Sequence, residues 1–268
     1  MSVFEIEVAD HVALLRFNRP DVMNAMSPEV LVRMLAAWER VRDDAEIRVA
    51  IITGAGDRAF CSGADLGRLI PLLTGARSAE DDYDRALLAD PTIPGRASLR
   101  DMDAGKPVIA AVNGYCLAGG MEFLQGTDIR VASSTAHFGL KEVQRGLIAS
   151  GGSCARLARQ VPFVHAMEIL LTGETITAAK ALEIGLINYV VEPEALLPKA
   201  FEIARRIAAN GPLAVQITRT AIRECLGRPE AEAIAVEQRI AAPVWASEDA
   251  REGPLAFIEK RAPRFVGR

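Results

Sequence analysis

Two kinds of apolar pattern predict strands in the first half of the chain. Residues 4–8 and 12–17 are short β-forming segments joined by a polar turn, which is typical of a β-hairpin. Residues 49–53 and 108–112 are continuous apolar runs, which are typical of strands buried on both faces. Each of these runs leads into a turn and a helical segment. Repeated units of this kind predict an α/β core.

Helical signals follow the hairpin and then dominate the last third of the chain. Ser27, Pro28 and Glu29 supply a capping residue, a proline at the first helical position and an acid in the first turn, which predicts a helix to about Val41. The later helices are expected at residues 197–209, 212–226, 229–245 and 249–261. We therefore predict a catalytic core of residues 1–197 and a C-terminal helical lobe of residues 198–268.

Composition narrows the classes of protein to which the chain can belong. The 268 residues are 50% hydrophobic, enough for a large buried core, and the formal net charge is −4. An acidic balance argues against nucleic acid as a partner, because phosphate contacts need a concentrated basic surface. No apolar run reaches the length of about 18 residues that a membrane helix needs, and the first residues are acidic. We expect a protein of the cytoplasm without a membrane partner.

Metal and nucleotide-cofactor motifs are weak. The four cysteines have no C-x-x-C spacing and do not pair with the three histidines, so we expect free thiols and no metal site. Residues 54–59 match a glycine-rich dinucleotide pattern, but no helix follows that could receive a pyrophosphate. No nicotinamide cofactor is therefore expected.

Two glutamates lie in segments that suit catalysis. Gly119 is expected to begin a helix that runs to about Thr127. Glu122 lies in its first turn, and the apolar neighbours of Glu122 indicate that this helix is buried, whereas most glutamates lie on the surface. Glu142 ends a short extended run. Two carboxyl groups beside a turn with free backbone N–H groups can share a water molecule, with one acting as the base and the other as the acid.

Three segments together carry a resemblance to a known family. They are FCSGADL at residues 60–66, VNGYCLAGGME at residues 112–122 and AHFGLKE at residues 136–142. The chain resembles the crotonase superfamily, the enoyl-CoA hydratase/isomerase family, over essentially its whole length. The resemblance implies a crotonase/ClpP-like α/β fold of repeated strand–strand–helix units, with a C-terminal helical lobe for oligomerisation.

The resemblance also implies an activity and the residues that perform it. The backbone N–H groups of Ala64 and Gly119 match an oxyanion hole for the thioester oxygen. Glu122 matches the residue that activates water, and Glu142 matches the residue that gives a proton to the α-carbon. Hydratases of this family carry both glutamates, whereas many of its isomerases and hydrolases keep only one or substitute another residue. The expected activity is that of an enoyl-CoA hydratase acting on a trans-2-enoyl-CoA.

The same resemblance implies how the substrate is held. The residues expected to contact the coenzyme A thioester are Ala64, Asp65, Leu66, Gly67, Phe257 and Lys260. The last two belong to a segment that often reaches the coenzyme A of a neighbouring subunit, and a homotrimer or homohexamer is expected. Coenzyme A enters as part of the substrate, so no separate cofactor is expected.

Two positions depart from the family pattern, and the identity of the acyl substrate therefore does not follow from the resemblance. Lys141 and Ala149 each stand where the family commonly has proline, beside the expected acyl site. Acyl chain length, branching and pathway are not determined by the sequence. The alternative activity is an enoyl-CoA isomerase or another crotonase-type acyl-CoA enzyme. A non-catalytic acyl-CoA-binding homologue is disfavoured because both carboxylates are intact.

Overall fold

Two sheets form the frame of residues 2–268, the part of the chain that the computed structural model describes. Their strands are β1 (Phe4–Ala9), β2 (Val12–Phe17), β3 (Val49–Gly54), β4 (Ala59–Cys61), β5 (Val108–Val112), β6 (Tyr115–Leu117), β7 (Ile129–Ser133), β8 (His137–Gly139), β9 (Ile176–Thr177) and β10 (Tyr189–Val191). The six-stranded sheet has the order β1-β2-β3-β5-β7-β10, and the four-stranded sheet has the order β4-β6-β8-β9.

Three consecutive pairs of strands follow the same path through the two sheets. β3, β5 and β7 lie in the larger sheet, and each is followed along the chain by a strand of the smaller sheet, β4, β6 and β8. Pairing in the larger sheet is parallel except for the β1–β2 hairpin, in which Phe4 faces Phe17. The predicted α/β fold of repeated strand–strand–helix units is confirmed.

Helices connect and cover the sheets. They are α1 (Pro28–Asp43), α2 (Leu69–Leu73), α3 (Asp82–Ala89), α4 (Ile93–Ala97), α5 (Gly119–Leu124), α6 (Ser153–Gln160), α7 (Phe163–Thr172), α8 (Ala178–Glu183), α9 (Leu196–Ala208), α10 (Pro212–Cys225), α11 (Glu230–Ala246) and α12 (Asp249–Ile258). The predicted start of α1 is confirmed, because the Ser27 hydroxyl accepts a hydrogen bond from the Val30 N–H at 3.3 Å and Pro28 is the first helical residue.

The central strands β3 and β5 of the larger sheet are buried on both faces. Successive residues of β3 belong to different apolar clusters, as the two-residue period of a strand requires: Ala50 and Ile52 pack in one cluster, and Val49 and Ile51 in the other. The first cluster also holds α1 and α5, and the second holds α9. This arrangement explains why the sequence of β3 is apolar without alternation.

The C-terminal helices divide into one that packs on the sheet and three that lie further out. Helix α9 contacts β3, β5 and β7, and the residue-198 boundary of the expected lobe falls inside it. Helices α10, α11 and α12 bury few of their own side chains. The division into core and lobe stays a prediction.

Two predicted helix ends are wrong. The helix starting at Gly119 was expected to reach about Thr127, but α5 ends at Leu124 because the chain turns into β7, with the Thr127 hydroxyl donating to the Leu124 carbonyl at 2.7 Å. The last helix was expected to reach Arg261, but α12 ends at Ile258. Lys260 has a φ of 55°, a left-handed conformation that commonly terminates helices.

Candidate active site

The turn after β4 presents the first free N–H group. Met26 forms an isolated parallel bridge with Ala64, in which the Met26 N–H donates to the Gly63 carbonyl and the Asp65 N–H donates to the Met26 carbonyl. The Ala64 N–H takes no part in this bridge and donates to no other backbone group of the described chain. It is therefore available to a ligand.

The turn after β6 presents the second free N–H group. Gly119 is the first residue of α5, and the N–H groups of the first helical turn have no partner within the helix. Ala118, just before it, has φ 47° and ψ −126°, a backbone conformation that is rare for a residue other than glycine. Its N–H is held by the Gly139 carbonyl at 2.8 Å. Such strain is commonly retained where it orients a functional group.

The two turns lie against each other. A Cβ atom added to Gly63 would lie 2.9 Å from the Gly119 nitrogen, and one added to Gly119 would lie 3.7 Å from the Ala64 nitrogen. Gly63 also has a φ of +96°, which favours glycine. Glycines at these positions thus allow two backbone N–H groups to approach one another, as an oxyanion hole requires.

Glu122 lies on α5, one turn after Gly119, and its residue is 8% exposed. The backbone N–H groups of Gly151 and Ser153 stabilise the ionised form of its carboxyl group, while Oε1 is buried without a hydrogen-bond partner. Burial, and then the negative charge of Glu142, raise the pKa of Glu122 to about 7, against the opposing effect of the two N–H groups and of Arg100. The group can therefore hold or release a proton near neutral pH.

Glu142 is half-buried at the start of a short 3-10 helix that follows β8. Its Oε2 atom is buried without a hydrogen-bond partner. Burial raises the pKa of this carboxyl, against its own backbone N–H and the positive charge of Arg145. Both carboxyl groups are thus disfavoured in the ionised form, and their mutual repulsion favours a pair that shares one proton.

The other residues expected to bind substrate have different surroundings. Asp65 is engaged within the protein: it pairs with Arg19 at 2.8 Å and accepts the N–H groups of Gly67 and Arg68, each at 3.0 Å. Leu66 and Gly67 are exposed beside Ala64. The structure therefore brings together the predicted oxyanion turns and the two glutamates, with the Asp65–Arg19 pair fixing the first turn.

Phe257 and Lys260 lie elsewhere, at the end of the chain. Phe257 is 86% exposed on α12, and Lys260 is exposed just beyond that helix. The helix expected at residues 249–261 would have placed Phe257 and Lys260 one turn apart. Because α12 ends at Ile258, Lys260 lies outside the helix and this spacing is not formed.

Three groups near Glu122 were not identified from the sequence. They are the N–H groups of Gly151 and Ser153 and the guanidinium of Arg100. A Cβ atom on Gly151 would lie 2.3 Å from Glu122 Oε2, so only glycine fits there without displacement. The Gly151-Gly152 pair shortly after Glu142 was a sequence signal for this close approach.

Residues 2–268 contain neither a cluster of metal-ligating side chains nor a helix suited to a membrane. No three His, Cys, Asp or Glu side chains gather there as a metal site. All four cysteines are free, with Cys61 and Cys116 buried and Cys154 exposed. None of the helices in this part of the chain is long and apolar enough to cross a bilayer.

Comparison with known proteins identifies the family. The family model described as enoyl-CoA hydratase/isomerase matches residues 7–268. An enoyl-CoA hydratase of Mycobacterium tuberculosis is 45% identical over 263 residues, covering 98% of this chain and 96% of the relative. The (E)-benzylidenesuccinyl-CoA hydratase of Thauera aromatica is 39% identical over 262 residues, covering 98% of each chain.

Solved structures agree with the sequence relatives. A crystal structure of enoyl-CoA hydratase from Mycobacterium tuberculosis matches with a TM-score of 0.90 and 37% identity, covering 100% of both chains. The fold and the resemblance expected from the three sequence segments are both confirmed. The chain belongs to the enoyl-CoA hydratase/isomerase family.

Proposed function

We propose that the chain is an enoyl-CoA hydratase that adds water across the double bond of a trans-2-enoyl-CoA. The observation that carries this proposal is the pair of carboxyl groups of buried Glu122 and half-buried Glu142, each with one buried, unpartnered oxygen and a raised pKa. Two such groups can bind one water and exchange its protons with the substrate.

The N–H groups of Ala64 and Gly119 are proposed to stabilise the thioester oxygen. Attack of water on the β-carbon moves negative charge onto that oxygen, and donors already aimed at it lower the barrier by about 3 kcal/mol each. The free N–H groups and the strained φ of Ala118 support this role. Burial of the site strengthens these hydrogen bonds as charge develops.

The glutamates are proposed to divide the proton transfers. Glu122 in its ionised form accepts a proton from water as the oxygen bonds to the β-carbon. Glu142 in its protonated form gives a proton to the α-carbon, so that one water is added in total. The raised pKa values support a pair with one proton, which is the state that the addition needs.

Coenzyme A is proposed to arrive with the substrate and to lie along the exposed Leu66 and Gly67. Phe257 and Lys260 are exposed in the single chain, which fits contact with coenzyme A across a subunit boundary in a trimer or hexamer. No separate cofactor and no nucleic-acid partner enters this proposal, and the cytoplasmic location stays a prediction.

Two substrates separate the hydratase from the isomerase. A hydratase consumes crotonyl-CoA, so the absorbance of the conjugated thioester falls, and a 3-hydroxyacyl-CoA forms. An isomerase converts trans-3-hexenoyl-CoA into the conjugated isomer, so the absorbance rises. We expect the protein to hydrate crotonyl-CoA and to isomerise little trans-3-hexenoyl-CoA. Conversion of the 3-enoyl substrate without hydration of crotonyl-CoA would overturn the proposal in favour of the isomerase.

A further inference from the structure

A cavity of about 830 Å³ lies between helix α10 and the part of the core that carries α6 and the start of β7. Neither the two glutamates nor Ala64 and Gly119 line this cavity. It is therefore a separate space from the candidate active site, and the proposed hydration does not use it.

Positive charge is concentrated in the wall of this cavity. The arginines that line it are Arg130, Arg156, Arg159, Arg219 and Arg223. The one carboxylate among the lining residues is Asp128, and Asp103 pairs with Arg219 nearby. The wall thus carries more guanidinium groups than carboxylates, an imbalance that favours an anionic ligand.

Two of these arginines have buried donors without acceptors. Arg219 is 8% exposed and uses Nε and Nη1 to bind Asp128 and Asp103, but its Nη2 has no partner. Arg156 donates from Nη2 to the Leu99 carbonyl at 2.6 Å, and its Nη1 has no partner. Unsatisfied buried donors are costly, and a bound anion would offset part of this cost.

Arg223 shares the two carboxylates of Arg219 but is held by them less closely. Its guanidinium lies 3.6 Å from Asp128 and 3.8 Å from Asp103, beyond hydrogen-bond distance. Burial, followed by the positive charge of Arg223, lowers the pKa of Arg156. Arg223 and Arg156 therefore repel each other across a space in which an anion would stabilise both.

The remaining wall is mainly apolar. It includes Ile129, Leu186, Ile207, Val215, Ile222 and Leu226. Guanidinium groups beside an aliphatic surface match a ligand with one anionic end and an apolar body, because each part then meets its preferred surroundings.

We propose that this cavity binds an amphiphilic carboxylate, with its anionic group at Arg156, Arg219 and Arg223 and its aliphatic body along α10. The ligand class follows from the charge, the unsatisfied donors and the apolar wall. It does not depend on the reaction catalysed at the glutamates.

Calorimetric titration of the full chain with octanoate tests this site. Octanamide, which has the same chain without the charge, and inorganic phosphate, which has the charge without the chain, are the matched probes. We expect octanoate to bind at least about tenfold more tightly than either, since a hydrogen-bonded charge contributes on that order.

Three variants locate the binding. Arg223→Gln removes a charge that makes no hydrogen bond to a carboxylate, and we expect octanoate affinity to fall about tenfold. Thr218→Phe places a ring in the cavity from exposed Thr218 on α10 and should abolish binding. Arg40→Gln removes an exposed charge on α1 and should leave affinity unchanged. Thermal denaturation checks that each variant is folded.

Failure of octanoate to bind, or unchanged affinity in folded Arg223→Gln and Thr218→Phe, would overturn the proposal. Light scattering distinguishes a second copy as the occupant. If octanoate does not bind and Arg223→Gln alone changes the mass of the assembly, a neighbouring chain fills the cavity and no small carboxylate does.

Discussion

Glu122 is a carboxyl group that the fold favours in its neutral form. Its pKa rises from the ordinary 4.5 to about 7 because it is buried beside Glu142. The N–H groups of Gly151 and Ser153 limit this rise, since they stabilise the ionised form. The protonation state of Glu122 therefore affects both catalysis by the two glutamates and the stability of the fold.

This link gives a prediction for stability at the scale of one residue. The pKa of Glu122 is about 7 in the folded protein and 4.5 in its ordinary state. Its contribution to the free energy of unfolding is therefore fully present below pH 4.5 and is lost as the pH rises through 7. Glu122→Gln cannot lose a proton. Relative to wild type, its free energy of unfolding should increase between about pH 5 and about pH 8, by up to about 3 kcal/mol.

Urea unfolding of both proteins at the two pH values measures this difference. Glu7→Gln, at an exposed residue of β1, is the control and should show no comparable change. A Glu122→Gln protein whose stability relative to wild type is the same at both pH values would show that Glu122 has an ordinary pKa.

The sequence predicted some of the site residues and not others, for a physical reason. The burial of Glu122 was predictable because its apolar neighbours lie on the same short helix. The donors at Gly151 and Ser153 come from a turn about thirty residues later. The Gly151-Gly152 pair indicates that another group approaches this backbone closely, but no local pattern shows that the group is Glu122. Arg100 acts on Glu122 through its positive charge and lies in an irregular segment. No periodic sequence pattern predicts this interaction either.

At the scale of elements, the strand–turn–helix unit at β6 and α5 sets the geometry of the site. Strands such as β3 and β5 were predicted closely, because continuous apolar runs ending in glycine or a polar residue define both ends. The ends of α5 and α12 were missed, because tertiary contacts and a left-handed residue terminate them where helical propensity would continue.

Gly119→Val tests the oxyanion turn. A Cβ at this position would lie 3.0 Å from the Met26 Cε and 3.7 Å from the Ala64 nitrogen, so a branched side chain would occupy the space in front of the Ala64 N–H. We expect turnover to fall by at least about a hundredfold, comparable to removal of an oxyanion donor. The Met26 side chain can move, so the fold should persist.

Steady-state kinetics and thermal denaturation separate these effects. The matched control is Gly253→Val, on α12, where an added Cβ makes ordinary contact with Phe265. Wild-type turnover by a folded Gly119→Val protein would exclude this turn as the oxyanion hole.

At the scale of the whole molecule, the single chain exposes large apolar side chains on its last two helices, α11 and α12. They are Ile234, Trp245, Leu255, Phe257 and Ile258, with Trp245 at 82% exposed. Exposed apolar side chains concentrated on one group of helices mark a surface for association. The sequence predicted more apolar surface on the terminal helices than a lobe of about 70 residues can bury, and Trp245, Leu255 and Phe257, which are part of that pattern, are exposed.

This surface supports the prediction of a homotrimer or homohexamer that the family resemblance implies. Light scattering should give three or six times the mass of the chain. Trp245→Ser combined with Phe257→Ser should shift the mass towards the monomer, because it removes two of the most exposed apolar groups. Leu88→Ser, at an exposed residue of α3, is the control. A monomeric wild-type protein would contradict both the assembly and a neighbour's contact from Lys260.

The central claim is that two carboxyl groups perform the hydration, and the turnover of Glu122→Gln and Glu142→Gln with crotonyl-CoA tests it most directly. An amide keeps the shape of the side chain but removes acid–base catalysis. Each substitution should lower kcat about a hundredfold or more, while affinity for the saturated analogue butyryl-CoA changes little. Near-wild-type kcat in either folded variant would contradict the two-carboxyl mechanism.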